Sequence, residues 1–190
     1  MVVLNKITTK TGDDGTSGLT NGERRKKCDV RFAAIGTVDE TNTVIGIARL
    51  HAGPKLDPFL AAIQNDLFDL GADLSTPEVE QPRTQPLRMS DAQVARLERE
   101  TGELNSTLAP LNSFVLPGGS PGAAYLHQAR TVARRAERLM VELKQAEKLG
   151  EPALQYINRL SDFLFVAARY ANDGGRADRL WVPGANRGPA

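Results

Sequence analysis

An all-α fold, a five-helix bundle preceded by a short arm, is what this sequence predicts. Three observations carry that reading. Five segments repeat apolar residues at three- and four-residue spacing, stretches containing Pro, Gly and Ser separate them, and no segment reads convincingly as sheet. The 190 residues fit a single domain, 1–190. A core of that size can bury roughly 70% of the unfolded surface.

The arm occupies residues 1–28 and is rich in Gly, Thr and charge. Its stretch "TKTGDDGTSGLTNGERRKK", Thr9 to Lys27, has the glycines, hydroxyls and lysines of a phosphate loop. It lacks the Walker order, and no apolar strand of normal length precedes it. The "GDDG" within it reads as a turn, because the Asp pair has neither the spacing nor the terminal Glu of a calcium loop.

The bundle follows over 29–172, with a tail over 173–190. Helix one is predicted from Cys28 to about Ala52, with Asp39-Glu40 intruding between Val38 and Ile45. The ordinary reading of that pair is the solvent margin of an amphipathic helix. Helix two runs from Asp57 to Leu74, and "STPEVEQPRTQPLRM", Ser75 to Met89, with three prolines, reads as a long surface loop. Helix three, Asp91 to Leu108, opens on Ser90 with Gln93 three residues on, a capping box. In "LPGGSPG", Leu116 to Gly122, Ser120-Pro121 supplies a cap and a first-turn proline, while Phe114 just before reads as core. Helix four, Gly122 to Lys148, is the most regular: Leu126, Ala129, Ala133, Ala136, Met140 and Leu143 form the seam of a bundle helix. Helix five runs from Pro152 to Asn172.

Charge narrows the function. With 24 basic and 23 acidic residues the net charge is +1, so no strong external field exists to support a large nucleic-acid footprint. Any anion site must be local. One cysteine, Cys28, allows no internal disulfide or Cys-rich zinc site and fits a reducing cytosol, while His51 and His127 are too scattered for a metal cluster. The apolar start of "MVVLNK" is too short for a signal peptide, and "FLFVAA" breaks at Arg169, far below the ~20 residues of a membrane span. A cytoplasmic protein with neither membrane nor nucleic-acid partner is expected.

The local anion site points to "RTVARRAERL", Arg130 to Leu139. At about 100° per residue, Arg130, Arg134 and Glu137 share one stripe beside the seam, Arg138 lies at its margin, and Arg135 points elsewhere. Such a face is ordinarily solvated surface. Adjacency to the alanine seam favours partly desolvated guanidiniums that seek a phosphate or carboxylate. In "YINRLSDFLF", Asn158 and Asp162 share a face with Arg159 at its edge, a polar patch that could equally be a hydrogen-bonding core position.

Taken together and in order, "TKTGDDGTSGL", "GTVDE", "FVLPGGS", "RTVARRAER" and "YINRLSDFLFVAARYAN" closely resemble the PduO-type ATP:cob(I)alamin adenosyltransferases, also called ATP:corrinoid adenosyltransferases. The resemblance covers about Ile7 to Asn172 and leaves the tail, with Trp181, unmatched. It implies homotrimers of five-helix subunits with active sites between neighbours. Thr9, Lys10, Thr11, Gly12, Ser17, Gly18 and Lys27 of the arm would bind ATP together with Arg134, Arg135, Ala136, Glu137, Arg138 and Asn158. Mg²⁺ would ride on the triphosphate, with Glu137 as an indirect ligand.

The implied reaction is attack of cob(I)alamin cobalt on C5′ of ATP, giving adenosylcobalamin and inorganic triphosphate. Arg134, Asp39, Arg130 and Phe114 would carry it. Phe114 matches the aromatic that displaces the lower axial ligand of cob(II)alamin, and Asp39 and Arg130 match a pair meeting across the subunit boundary. A reductase and an adenosylcobalamin-dependent mutase would be partners. Two other classes stay open: a non-catalytic ATP and corrinoid carrier or sensor, and a structural bundle whose arginines bind any polyanion.

Overall fold

The computed structural model describes residues 8–79 and 85–187. Among these, helix α4 (Pro121–Ala146) is the axis of the fold. Its start follows from sequence: Pro121 sits in the first turn and the Ser120 hydroxyl accepts from the Ala123 amide at 3.2 Å. Leu126, Ala129, Ala133, Ala136, Met140 and Leu143 are all fully buried, so the predicted seam is the core face. Alanines along that seam let neighbouring backbones come close. Helix α1 (Val30–Arg49) packs along one flank of α4 and helix α5 (Glu151–Ala171) along the other.

Helix α2 (Gly53–Leu74) lies on α1 and helix α3 (Asp91–Asn105) on α5, with α2 also touching α5. One continuous core joins them, including Ile45, Leu60, Leu67, Leu97, Tyr156 and Phe163. A polar bridge closes the α2–α3–α5 side. The Tyr156 hydroxyl donates to Asp66 at 2.7 Å, Arg96 pairs with the same carboxylate, and Gln93 donates to Asp66 and Asp69, each at 3.1 Å. Burial holds the Tyr156 phenol well above its usual range, keeping it a donor to that carboxylate.

The five predicted helices are present with shifted ends. Helix α1 starts at Val30 because Asp29 caps it, accepting from the Arg31 amide at 2.8 Å. Helix α2 starts one turn before the predicted Asp57: Pro54 occupies its first turn, Pro58 lies inside, and the added turn buries Leu56 beside Leu60. The predicted capping box of Ser90 and Gln93 is present in full.

Two readings need correction. The arm contains a small sheet, an antiparallel pair of β1 (Thr16–Gly18) and β2 (Arg24–Lys26) with Ser17 opposite Arg25. Nor is the loop after α2 wholly superficial, since Pro77 and Met89 are buried. Its two ends are pinned by Asp73, which accepts from the Arg88 guanidinium at 2.7 Å and the Met89 amide at 2.8 Å. Residues 80–84 of that loop lie outside the described residues.

Gly122 is where α4 passes the end of α1. A Cβ there would stand 2.6 Å from the His51 carbonyl oxygen, a backbone atom that cannot swing away. Gly122→Ala should therefore destabilise the fold by about 1 to 3 kcal/mol despite alanine's better helix propensity. Urea unfolding checks this, and an unchanged midpoint would refute the close contact.

Candidate active site

The outer face of α4 carries the predicted stripe. Arg134 and Arg138 are exposed, and an Arg138 Nη donates to the Arg134 carbonyl at 3.0 Å. Glu137 is half-buried and accepts from Asn158 Nδ2 at 2.8 Å; Asn158 Oδ1 accepts from Arg159 at 2.7 Å, and Arg159 pairs with Glu98 at 2.7 Å. Glu137 and Asn158 are thus brought together and oriented through α3. Arg135 points to the other flank, where it pairs with Glu40 of α1. Asp162 is exposed and stands apart from this chain of contacts.

Ala136 requires a correction: it is fully buried in the seam, so its methyl group packs the core and is closed to a ligand. Arg130, half-buried, has its Nε out of solvent with no hydrogen-bond partner among the described residues. Burial and the neighbouring Arg134 both disfavour its charge. A guanidinium in that position gains from an anion. Asp39, which the family resemblance pairs with it, is exposed on α1, and its side chain has no hydrogen-bond partner among the described residues.

The arm supplies a second group of donors. Thr9, Lys10 and Thr11 are exposed, the Thr9 and Thr11 hydroxyls lie 3.0 Å apart, and Lys10 adopts a left-handed φ of 61°. Arg24 braces this loop, donating to the Thr11 carbonyl at 2.6 Å and the Thr16 hydroxyl at 2.7 Å. The Lys27 ammonium crosses Gly12 so closely that a Cβ there would be 3.0 Å from Nζ. Ser17 and Gly18 lie in β1. Leu19 is buried, and Thr20 donates to the Ser75 carbonyl at 3.0 Å, seating the hairpin turn on the end of α2.

Near the start of α4 stands Phe114. It is 76% exposed, which overturns its reading as a core residue. The tail, unmatched by any motif, folds back against it. The Trp181 amide donates to the Phe114 carbonyl at 2.7 Å, the Leu116 amide to the Arg179 carbonyl at 2.8 Å, and the two rings are 6.0 Å apart. Leu116, Trp181 and Val182 extend this exposed apolar surface. Sequence offered only a lone Trp-Val pair in a polar tail as a signal.

The tail is held by a buried ion pair. Arg169 and Asp178 meet at 2.8 Å with side chains only 6% and 4% exposed, Arg169 also donates to the Ala109 carbonyl at 2.8 Å, and Asn172 donates to Asp178 at 2.9 Å. The Asn172 Oδ1 in turn accepts from the Ser120 amide at 3.2 Å, tying the tail to the cap of α4.

Together these features define a class: an α-helical bundle with a half-buried arginine on its central helix, a glycine- and threonine-rich arm and an exposed aromatic surface. The comparisons with known proteins are specific. The cobalamin adenosyltransferase family model matches residues 7–171. The corrinoid adenosyltransferase of Mycobacterium tuberculosis is 49% identical over 190 residues, covering 98% of this chain and 97% of that protein. The cobalamin adenosyltransferase of Cupriavidus metallidurans is 48% identical over 183 residues, covering 94% and 95%. Among solved structures, a Phe-to-His variant of the PduO-type ATP:corrinoid adenosyltransferase from Lactobacillus reuteri, complexed with cobalamin and ATP, superimposes with a TM-score of 0.88 at 37% identity, covering 94% of this chain and 97% of that one. The chain belongs to the cobalamin adenosyltransferase family.

Because Asp178 neutralises a buried guanidinium, Asp178→Ala should cost about 3 to 5 kcal/mol, the range for breaking one side of a buried pair. Denaturant melts would show it. A loss indistinguishable from that of an exposed substitution would mean the Arg169 charge finds compensation elsewhere.

Proposed function

We propose that this protein transfers the 5′-deoxyadenosyl group of ATP to cobalt of cob(I)alamin, giving adenosylcobalamin and inorganic triphosphate. The observation that carries the reading is the buried Nε of Arg130, without a partner among the described residues and beside Arg134, in a chain whose solved neighbour is complexed with cobalamin and ATP. In the reaction the cobalt electron pair attacks C5′, the C5′–oxygen bond breaks, and triphosphate departs with the bonding electrons. Cob(I)alamin needs no general base to activate it. The protein's task is alignment and stabilisation of charge on the leaving group.

The arm residues Thr9, Lys10, Thr11, Gly12, Ser17, Gly18 and Lys27 close over the triphosphate in this reading, with Arg134, Arg135 and Arg138 neutralising it and Asn158 orienting Glu137. The left-handed Lys10 and the Lys27–Gly12 contact support a backbone shaped for close anion approach. Mg²⁺ would be held mainly by the phosphates, the mode expected where a site offers few carboxylates. Glu137 fits as its contact because Asn158 engages only one of its carboxylate oxygens, and no cluster of three potential metal ligands occurs among the described residues. Asp39 and Arg130, neither with a side-chain partner among the described residues, would pair across the subunit boundary of a homotrimer, completing the site between neighbours. Phe114, exposed with Trp181 beside it, would fill the space below the corrin and exclude the lower axial ligand.

The whole chain would act as one catalytic unit in the cytoplasm, with a reductase supplying cob(I)alamin and an adenosylcobalamin-dependent mutase receiving the product. No described helix is long and apolar enough to cross a membrane.

An anaerobic assay with ATP and chemically reduced cobalamin tests the reading. Triphosphate should appear in step with adenosylcobalamin; tight binding of both ligands without it would make the protein a carrier or sensor. Arg134→Ala should lower turnover about 10² to 10³-fold, the usual cost of removing one donor to a developing anion. A near-normal rate would remove Arg134 from the site. Phe114→Ala should retain ATP binding but lose more activity from cob(II)alamin with a biological reductant than from ready-made cob(I)alamin. Electron paramagnetic resonance should show four-coordinate cob(II)alamin with the native protein and five-coordinate with the variant, and a four-coordinate signal in both would assign the displacement elsewhere.

A further inference from the structure

Glu147 stands at the C-terminal cap of α4 and grips the arm from outside the proposed ATP-binding set. Its Oε1 accepts from Arg25 Nη1 at 2.5 Å and its Oε2 from Arg25 Nη2 at 3.2 Å, a two-pronged contact. The same Oε2 accepts from Arg31 at 3.0 Å. Arg31 is itself buried at 1% exposure, with its other prong on the Leu74 carbonyl. The carboxylate is therefore fixed from inside the bundle and offered to the arm. Both arginines hold the Glu147 carboxyl below its ordinary range, so it stays charged throughout neutral conditions.

Arg25 is the middle residue of β2, and side chains alternate across a strand. Arg25 turns to the bundle while Arg24, its neighbour, turns to the loop and holds the Thr11 carbonyl and Thr16 hydroxyl. Seating one side chain of the strand thus sets the other. The geometry points to Arg25 and Glu147 as a positioning pair: they hold the arm in its ATP-ready form before nucleotide arrives, acting through β2 and Arg24 on Thr11. Glu147 belongs to the helix that carries Arg134 and Arg138, so the arm is referenced to the element bearing the cations. This inference rests on the reading that the arm closes over ATP. A pre-set arm spends less binding energy on ordering, which appears in affinity more than in the chemical step.

The test compares the full-length native protein with Arg25→Ala and Arg25→Lys. In ligand-free protein, amide hydrogen exchange over residues 9–18 should accelerate in Arg25→Ala and recover partly in Arg25→Lys, which restores one contact. ATP affinity by calorimetry, and KM for ATP with pre-reduced cobalamin, should weaken about 10-fold for the alanine variant, as for loss of one two-pronged charge-assisted contact, while kcat holds. Unchanged exchange overturns the pair as a brace. Faster exchange with unchanged ATP affinity overturns its link to nucleotide, and a fall in kcat at constant KM would make Arg25 a direct contact to the reacting groups instead. Should the native protein bind no ATP, the proposed function fails, and the exchange comparison alone still decides whether the pair braces the arm.

Discussion

The close approach of α1 and α5 to the alanine seam of α4 is the constraint on which the rest of the molecule depends. Ala129, Ala133 and Ala136 are fully buried, and larger side chains there would push both neighbouring helices outward. Helical periodicity then places the guanidiniums of the same segment on the rim of that packing. Packing and charge are therefore two faces of one run of residues. The ends of α4 extend the logic: its N-terminal cap joins the glycine turn and the tail, and its C-terminal cap joins the arm.

Electrostatic neutralisation around this helix is uneven, and the unevenness carries the chemistry. Arg135 finds Glu40 and Arg138 finds a backbone carbonyl, while Arg169, Arg31 and Arg25 are matched by carboxylates. Arg130 keeps a buried Nε with no partner among the described residues, beside another cation. His127, one turn earlier and 3% exposed, is kept toward its neutral form by burial and by that same Arg130. Arg31 and Arg96 also leave a buried Nε without a partner, but their other nitrogens meet a carboxylate, whereas no side-chain partner of Arg130 occurs among the described residues.

Much of this was legible in the sequence because helices advertise themselves by period and cap. The Ser90–Gln93 box, the Ser120–Pro121 start and the seam of α4 needed no tertiary information. The hairpin did not announce itself, although Asn21-Gly22 is a turn signal, because its strands are three residues long and filled with Arg, Lys, Thr and Gly rather than alternating apolar residues. Phe114 was misread as core because aromatic character says nothing of which side of a turn it faces. Arg135 shared a motif with Arg134, yet its partner lies 95 positions away on α1, a distance no local pattern encodes. Trp181 was silent for the same reason: its contacts with Ser113 and Phe114 come from a tail returning across the fold.

Asp73 has a bearing on how freely this scaffold can be altered. By holding Arg88 and Met89 against the last turn of α2, it brings the two ends of the intervening segment to one anchored point. The entry to α3 is thereby fixed without reference to how many residues lie between. Closing a longer loop costs little, about 0.6 kcal/mol for each doubling of length. This junction is accordingly where a reporter peptide or a whole foreign domain could be grafted while the helices on either side keep their registration, and where natural length variation would leave the rest of the molecule undisturbed.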